Sequence, residues 1–390
     1  MQKFSADIIY PVSSDPLNDY VIVTDDTGII LDITEATQHD VGTVQKFTGT
    51  IVPGFVNTHC HMELSHMLGK VDTGTGLLDF IKQVITRREA TQEAIYEAIR
   101  LAEQEMLENG IVAVGDISNT TDTFSQKQEG NLFYYTFVEF FDLMKSREAE
   151  ENFNKYYSVY SQLETNSFNK KSCVPHAPYS VSEKLFSLIN VENQLISTIS
   201  IHNQETPPED ALFRNGQSDF SDFFNQFGDK MDEIPALSAS IEYALQQIPP
   251  QHRVLFVHNT LTRKEDIVSA HQVFKNCFWA TCPNANLYIE NRLPNYKNFI
   301  DTNSLLTIGT DSLTSNWQLS IWEEMKTILR YQSWLSFEIV LEWATKNGAE
   351  SLGFNDLLGT IEKKKKPGLV LLENFSPDTK SYHCKPKRLI

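Results

Sequence analysis

The chain has 390 residues, 33 Lys and Arg against 51 Asp and Glu, a formal net charge of -18 and a pI near 5.0. That balance excludes non-specific attraction to nucleic-acid phosphates, which requires a basic stripe. With 41% hydrophobic residues, a sizeable core can be buried, and the length accommodates a barrel of about 250 residues with an accessory domain.

Five cysteines, Cys60, Cys173, Cys277, Cys282 and Cys384, are dispersed without CxxC spacing, and an odd number cannot pair completely. A reduced, cytoplasmic setting is expected. The start of the chain lacks a leader pattern and no window approaches the roughly 20 apolar residues of a membrane span. Neither a membrane nor a nucleic-acid partner is therefore expected. The basic run 363–366 reads as a solvated turn.

Residues 1–50 read as short strands at 6–11, 20–24, 29–33 and 43–47, with Asp25-Asp26-Thr27-Gly28 marking a hairpin. The apolar run 51–57 reads as one strand closing on Thr58-His59-Cys60-His61. From there strand and helix alternate. Helices are expected at 77–88, at 91–108 before the Asn109-Gly110 stop, at 146–165, from Ser182, and at 237–248, 263–273 and 319–330. Strands are expected at 111–117, 132–141, 172–176, 196–202, 254–258, 278–282 and 305–310.

The polar stretch 205–235 carries Phe213, Phe220, Phe223, Phe224 and Phe227, and reads as a helical excursion that packs on the barrel or covers a pocket. A last helix at 337–349 and a strand at 369–373, after Pro367-Gly368, return the chain to its opening module. This order predicts an α/β protein: a (β/α)8 TIM-type barrel over 53–355, with a small β-sandwich built from both termini, 1–52 and 356–390.

Side chains alternate between the faces of a strand, so His59 and His61 project to one side and can share a metal. Other strand ends carry His202 with Glu205, His258, and Asp311. Ionisable groups at the C-terminal ends of barrel strands converge on one face. His59, His61, His202 and Asp311 form a nitrogen and oxygen donor set for one divalent ion, Zn²⁺ first and Fe²⁺ as the alternative, with a position open for water. The strand ends 138–140 and 174–176 offer no bridging ligand for a second metal.

Glu205 is placed to take a proton from water and return it to a leaving nitrogen. His258 is placed to hydrogen-bond the attacking water or the developing oxyanion. Asp311 can also take the first proton, its other reading being the cap of a following helix. Glu63, Ser65 and His176 are expected to face the substrate; His66 divides between pocket and surface, and Cys282 is expected to pack.

The segments Pro53-Gly54-Phe55-Val56-Asn57-Thr58-His59-Cys60-His61, Pro175-His176-Ala177-Pro178-Tyr179, His202 through Glu205, His258-Asn259, Gly309-Thr310-Asp311-Ser312 and Gly359-Thr360-Ile361-Glu362 span nearly the whole chain. With them the sequence resembles the amidohydrolase superfamily, in its branch of mononuclear deaminases and triazine chlorohydrolases. The resemblance implies a barrel with a terminal β-sandwich, His59, His61, His202 and Asp311 as metal ligands, and Glu205 and His258 as the acid/base and water-orienting groups. His61-Met62-Glu63-Leu64-Ser65 and Asp311-Ser312-Leu313-Thr314-Ser315-Asn316 are most similar to the aminodeoxyfutalosine deaminases. The two amides of His202-Asn203-Gln204-Glu205 depart from that group, and the acidic stretch 209–232 is unlike the better-known purine deaminases.

The leading expectation is a metal-dependent hydrolytic deaminase of an amino-substituted heterocycle, an adenine-type nucleoside such as aminodeoxyfutalosine, in which metal-bound water attacks the ring carbon and ammonia leaves. Hydrolytic dechlorination or cyclic-amide opening is the second, and a non-catalytic heterocycle-binding protein the third. The Pro-Cys-x-x-Cys signature of nucleic-acid base deaminases is absent. A small heterocycle is the expected partner, and a homodimer is the assembly this reading allows.

Overall fold

The computed structural model describes residues 1–193, 195–226, 231–377 and 382–390. Phe227 lies outside the described residues.

Six strands open the chain: β1 (Gln2–Ser5), β2 (Ile8–Ile9), β3 (Tyr20–Thr24), β4 (Ile30–Glu35), β5 (Gln45–Lys46) and β6 (Gly49–Pro53). Eight follow at wider spacing: β7 (Phe55–Cys60), β8 (Ile111–Ser118), β9 (Phe133–Phe140), β10 (Asn169–Pro175), β11 (Thr198–Asn203), β12 (Arg253–His258), β13 (Asn276–Thr281) and β14 (Leu305–Ile308). β15 (Leu369–Glu373) and β16 (Pro386–Arg388) complete the set.

The wider spacing is filled by helices. These are α1 (Leu77–Arg87), α2 (Gln92–Glu108), α3 (Phe124–Gln128), α4 (Ala149–Gln162), α5 (Glu183–Glu192), α6 (Pro207–Asn215), α7 (Asp219–Asn225) and α8 (Ser240–Gln247), then α9 (Lys264–Val273), α10 (Pro283–Glu290), α11 (Tyr296–Asp301), α12 (Ile321–Tyr331), α13 (Phe337–Ala344) and α14 (Lys346–Ser351). Several of their ends are set by local chemistry. Thr91 accepts from Ala94 N to start α2, Ser182 accepts from Leu185 N to start α5, and Gly110 follows α2 at φ +78°. Among the described residues no helix is long and apolar enough to cross a membrane.

β7 to β14 pair in parallel in two four-stranded sheets of order β10-β9-β8-β7 and β11-β12-β13-β14. Every residue of β7, β8, β9 and β11 is buried, as a parallel sheet covered on both faces requires. The edge strands approach one another. His202 N donates to the His176 carbonyl at 2.9 Å beside β10 and β11, and Thr310 N and Asp311 N donate to the His59 carbonyl at 3.1 and 3.0 Å beside β14 and β7.

The remaining strands form two further sheets, β4-β3-β1-β5 and β16-β15-β6-β2. Both ends of the chain meet here, since β6 runs antiparallel to β15 with Val52 opposite Val370. A separate hydrophobic cluster that includes Phe4, Ile22, Ile51, Ile361 and Leu371 draws on both sheets. The hairpin expected at 25–28 joins β3 and β4.

Two expected elements are divided. The apolar run 51–57 is not one strand: β6 belongs with β15, and β7 begins after Gly54. A Cβ at Gly54 would come 2.3 Å from Val112 Cγ1 and 2.7 Å from the Pro367 carbonyl, so the crossing between sheets needs glycine. The helix expected at 337–349 breaks at Thr345, whose backbone leaves the helical region and whose hydroxyl donates back to the Leu341 carbonyl at 2.6 Å.

Candidate active site

His59 lies near the end of β7, His202 in β11 and His258 at the end of β12, while Asp311 follows β14 in the connection to α12. His59 Nε2 is 3.2 Å from His61 Nε2, and Asp311 Oδ1 lies 3.6 Å from the first and 3.4 Å from the second. The His59 and His202 rings are 4.9 Å apart and the His202 and His258 rings 5.5 Å. Gly309 permits this approach, because a Cβ there would sit 2.8 Å from the Cβ of His59. Asp311 adopts a left-handed backbone, φ +57°, that few non-glycine residues take. No helix starts at Asp311, so it is not the cap of a following one.

The ligating atoms of His59, His61 and Asp311 lie within 4.8 Å of one another, and so do those of His59, His202 and His258. Burial holds the imidazoles of His59, His202 and His258 below their ordinary value and brings His61 down to about 4. Burial alone would raise Asp311, but the His59 hydrogen bond and the nearby His61 and His258 outweigh it and hold the carboxyl well below the usual range. Neutral imidazoles beside an ionised carboxylate are the protonation states a divalent metal requires. His59 Nδ1 is buried without a hydrogen-bond partner. The residues present fit a divalent cation.

The other ring nitrogens are oriented by the fold. His202 Nδ1 lies 2.8 Å from the His176 carbonyl, and His258 Nδ1 lies 2.9 Å from Asn286 Oδ1. Ser315 Oγ donates to Asp311 Oδ2 at 2.7 Å. Glu205 Oε1 is 3.7 Å from His258 Nε2, and burial, then the Asp311 charge, raises the Glu205 carboxyl well above the ordinary range.

These groups open on a cavity of about 400 Å³. His61, His176, His202, Glu205, His258 and Asp311 line its polar end; Leu77, Phe80, Ile81 and Val84 of α1 and Phe223 and Phe224 of α7 form an apolar wall. Phe220 stacks on Tyr179 with ring centroids 4.2 Å apart, anchoring α7 at the wall.

Glu63 and His176 line the cavity as expected. One Glu63 oxygen already accepts from Asn119 N, Thr120 N and Thr120 Oγ1, each at 3.0 Å, and burial raises the carboxyl to about 7. His176 Nδ1 lies 2.7 Å from Ser180 Oγ, and burial lowers its imidazole to about 3. Ser65 is buried, and its Oγ has no hydrogen-bond partner. The chain leaves strand geometry after Cys60 and forms a 3-10 turn, Met62–Met67, so the two-residue alternation that would aim Ser65 at the substrate no longer holds. His66 Nε2 lies 2.8 Å from the Arg88 carbonyl, and Cys282 is buried.

The strand end 138–140 carries a further carboxyl at the site: Glu139, in the cavity wall, places Oε1 3.5 Å from His202 Nδ1 and groups with His176 and His202 within ligating distance. Burial raises Glu139 to about 8, and Oε1 has no hydrogen-bond partner. Sequence reading also missed Asn286 and the buried pair Lys127–Asp116, 2.6 Å apart. Asp116 Oδ1 accepts from Met62 N at 2.8 Å and so holds the turn that follows His61. Lys127 lies in the short helix α3 between polar flanks, so neither its burial nor its partner could be read from spacing.

Comparison with known proteins identifies the family and the fold. Residues 50–386 match the model of the Amidohydrolase family. The chain is 28% identical over 323 residues to an adenosine deaminase of Helicobacter pylori, covering 82% of this chain and 78% of that protein. It is 26% identical over 368 residues to a 5'-deoxyadenosine deaminase of Methanosphaera stadtmanae, covering 89% and 78%. Among solved structures, Helicobacter pylori aminofutalosine deaminase in complex with methylthio-coformycin superposes with a TM-score of 0.85 at 23% identity over all of both chains. The zinc complex of atrazine chlorohydrolase TrzN from Arthrobacter aurescens superposes with a TM-score of 0.72 at 15% identity, covering 95% of this chain and 86% of that one. With a family model matching most of its length, the chain belongs to the amidohydrolase family.

Proposed function

We propose that this protein is a metal-dependent hydrolytic deaminase of an adenine-type nucleoside. The observation that carries the reading is that buried His59 belongs to two groups of possible ligands, one with His61 and Asp311 and one with His202 and His258, beside a cavity that Glu205 also lines. The deaminase names of its relatives in Helicobacter and Methanosphaera support the substrate class. Their coverage of about four fifths of each chain supports carrying the reaction across.

In this reading β7 to β14 close into one (β/α)8 barrel over 53–355, and the terminal segments 1–52 and 356–390 form a β-sandwich beside it. The edge-to-edge hydrogen bonds at His202 and at His59 support closure. His59, His61, His202 and Asp311 hold one divalent ion, with zinc the first candidate. When bound, it supplies Lewis-acid activation of water.

The chain's own residues do the rest. Glu205 takes one proton from the attacking water and delivers it to the ring nitrogen; the second, from the hydroxyl then on the ring carbon, passes to the amino group, whose bond to carbon breaks as the carbonyl forms and ammonia departs. Burial raises the Glu205 carboxyl well above the ordinary carboxylate range, which favours its protonated form. His258, held through Nδ1 by Asn286, presents Nε2 to the water and steadies the developing oxyanion. Asp311 is the alternative acceptor of the first proton, or else orients the water. Glu63 and His176 bind the nucleoside, and the wall of α1 and α7 shields it from solvent.

The test is ammonia release from adenosine, 5'-deoxyadenosine, 5'-methylthioadenosine and aminodeoxyfutalosine by zinc-loaded protein, with chloride release from chlorotriazines measured alongside. Ammonia from an adenine nucleoside is the expected result. Chloride without ammonia would move the assignment to dechlorination, and tight binding without product would leave a binding protein.

A further inference from the structure

Glu209, on the first turn of α6, is fully buried and spans two consecutive backbone amides. Gln204 N donates to its Oε1 at 2.8 Å and Glu205 N donates to its Oε2 at 3.0 Å. Ser240 Oγ, at the first residue of α8, donates to the same Oε1 at 2.7 Å. The neighbouring Asp210 accepts from Ser240 N at 2.9 Å and from Gln204 Nε2 at 3.4 Å.

The backbone that Glu209 holds is not relaxed. Gln204 sits at φ +45°, where a side chain with a Cβ is strained, and such a conformation persists only when its surroundings over-determine it. Both amides are buried just beyond β11, and without Glu209 they would be left unpaired. The strained residue is the one directly before Glu205, so its conformation sets the direction in which the Glu205 side chain leaves the chain.

We propose that Glu209 is a positioning residue for the reaction: by clamping the backbone of residues 204 and 205 it aims the Glu205 carboxyl at His258 and the cavity. Through Ser240 and Asp210 the same clamp ties the strand end to α6 and α8. The inference rests on the reading of Glu205 as the proton carrier. Proton transfer depends steeply on geometry, and misplacement by about 1 Å can cost roughly 100-fold in rate.

Glu209→Gln is the direct test, because it keeps the volume and one acceptor but turns an NH₂ towards the other amide. In the zinc-loaded full chain, kcat should fall at least 10-fold, with KM within 3-fold of wild type and one metal still bound per chain. The kcat–pH profile should shift, since a displaced Glu205 has new neighbours. Ser240→Ala, which removes a single donor to Glu209, should lower kcat 2- to 5-fold with KM unchanged, and serves if the Gln variant does not fold. An unchanged kcat per metal-loaded molecule in either folded variant, or a loss confined to KM, would overturn the proposal. Failure of the wild-type chain to release ammonia would instead overturn the proposed function, so the two failures are separable.

Discussion

Glu205 Oε1 lies 3.7 Å from His258 Nε2, and both side chains are buried at the polar end of the cavity. The distance exceeds a hydrogen bond. It leaves the two groups facing the same space, where a water molecule and a ring nitrogen would be handled together.

Glu205→Gln removes the proton carrier while keeping its shape. Ammonia release should fall by roughly 10²- to 10⁴-fold, with metal content unchanged by elemental analysis. Full turnover by this variant would remove Glu205 from the mechanism.

Asn286→Ala leaves His258 Nδ1 without its partner, so neither tautomer nor ring angle remains fixed. Loss of such an orienting contact costs on the order of 10- to 100-fold in activity. Steady-state kinetics should place the loss in kcat. A variant with wild-type kcat would show that the ring is held by packing alone.

Acid should destabilise the metal-free protein through its buried imidazoles. Burial depresses His61 to about 4 and His176 to about 3, below the ordinary value near about 6.5. Between those limits the unfolded chain binds more protons, so the stability these groups contribute is present above about 6.5 and lost as pH falls. His61 accounts for at most roughly 3 kcal/mol of it. Urea midpoints of chelator-treated protein should therefore fall from pH 7 to pH 4. A midpoint independent of pH over that range would contradict burial of neutral histidines.

Phe220→Ala removes a buried ring from the stack on Tyr179. Such a deletion costs about 3–5 kcal/mol. Because α7 carries Phe223 and Phe224 into the cavity wall, KM for the nucleoside should rise along with the drop in Tm. A lower Tm with unaltered KM would mean that α7 does not contact the substrate.

Chelation should abolish activity and lower Tm, and added Zn²⁺ should restore both, because a ligand that binds only the folded state stabilises it by mass action. His59→Ala should resist this rescue, since His59 belongs to two of the three overlapping donor groups among the described residues. Rescue of that variant at stoichiometric zinc would displace His59 from the ligand set.

The proposed donors His59, His61, His202 and Asp311, and His258 proposed beside them, were named from the sequence because each stands at the end of an apolar strand-like run, and parallel strands deliver their C-terminal ends to one face. The alternation of strands and helices, with the returns at Asn109-Gly110 and Pro367-Gly368, was equally local. Tertiary structure alone decided that Gly54 divides the opening run between two sheets, that a 3-10 turn follows His61, and that Glu139 approaches His202. It also decided that Asn286 orients His258, that Lys127 meets Asp116, and that Glu209 grips the backbone before Glu205. Periodicity reports which face a side chain takes. Which distant side chain it meets depends on strand stagger, turn geometry and the demand of buried polar groups for partners, and none of these is written in local spacing.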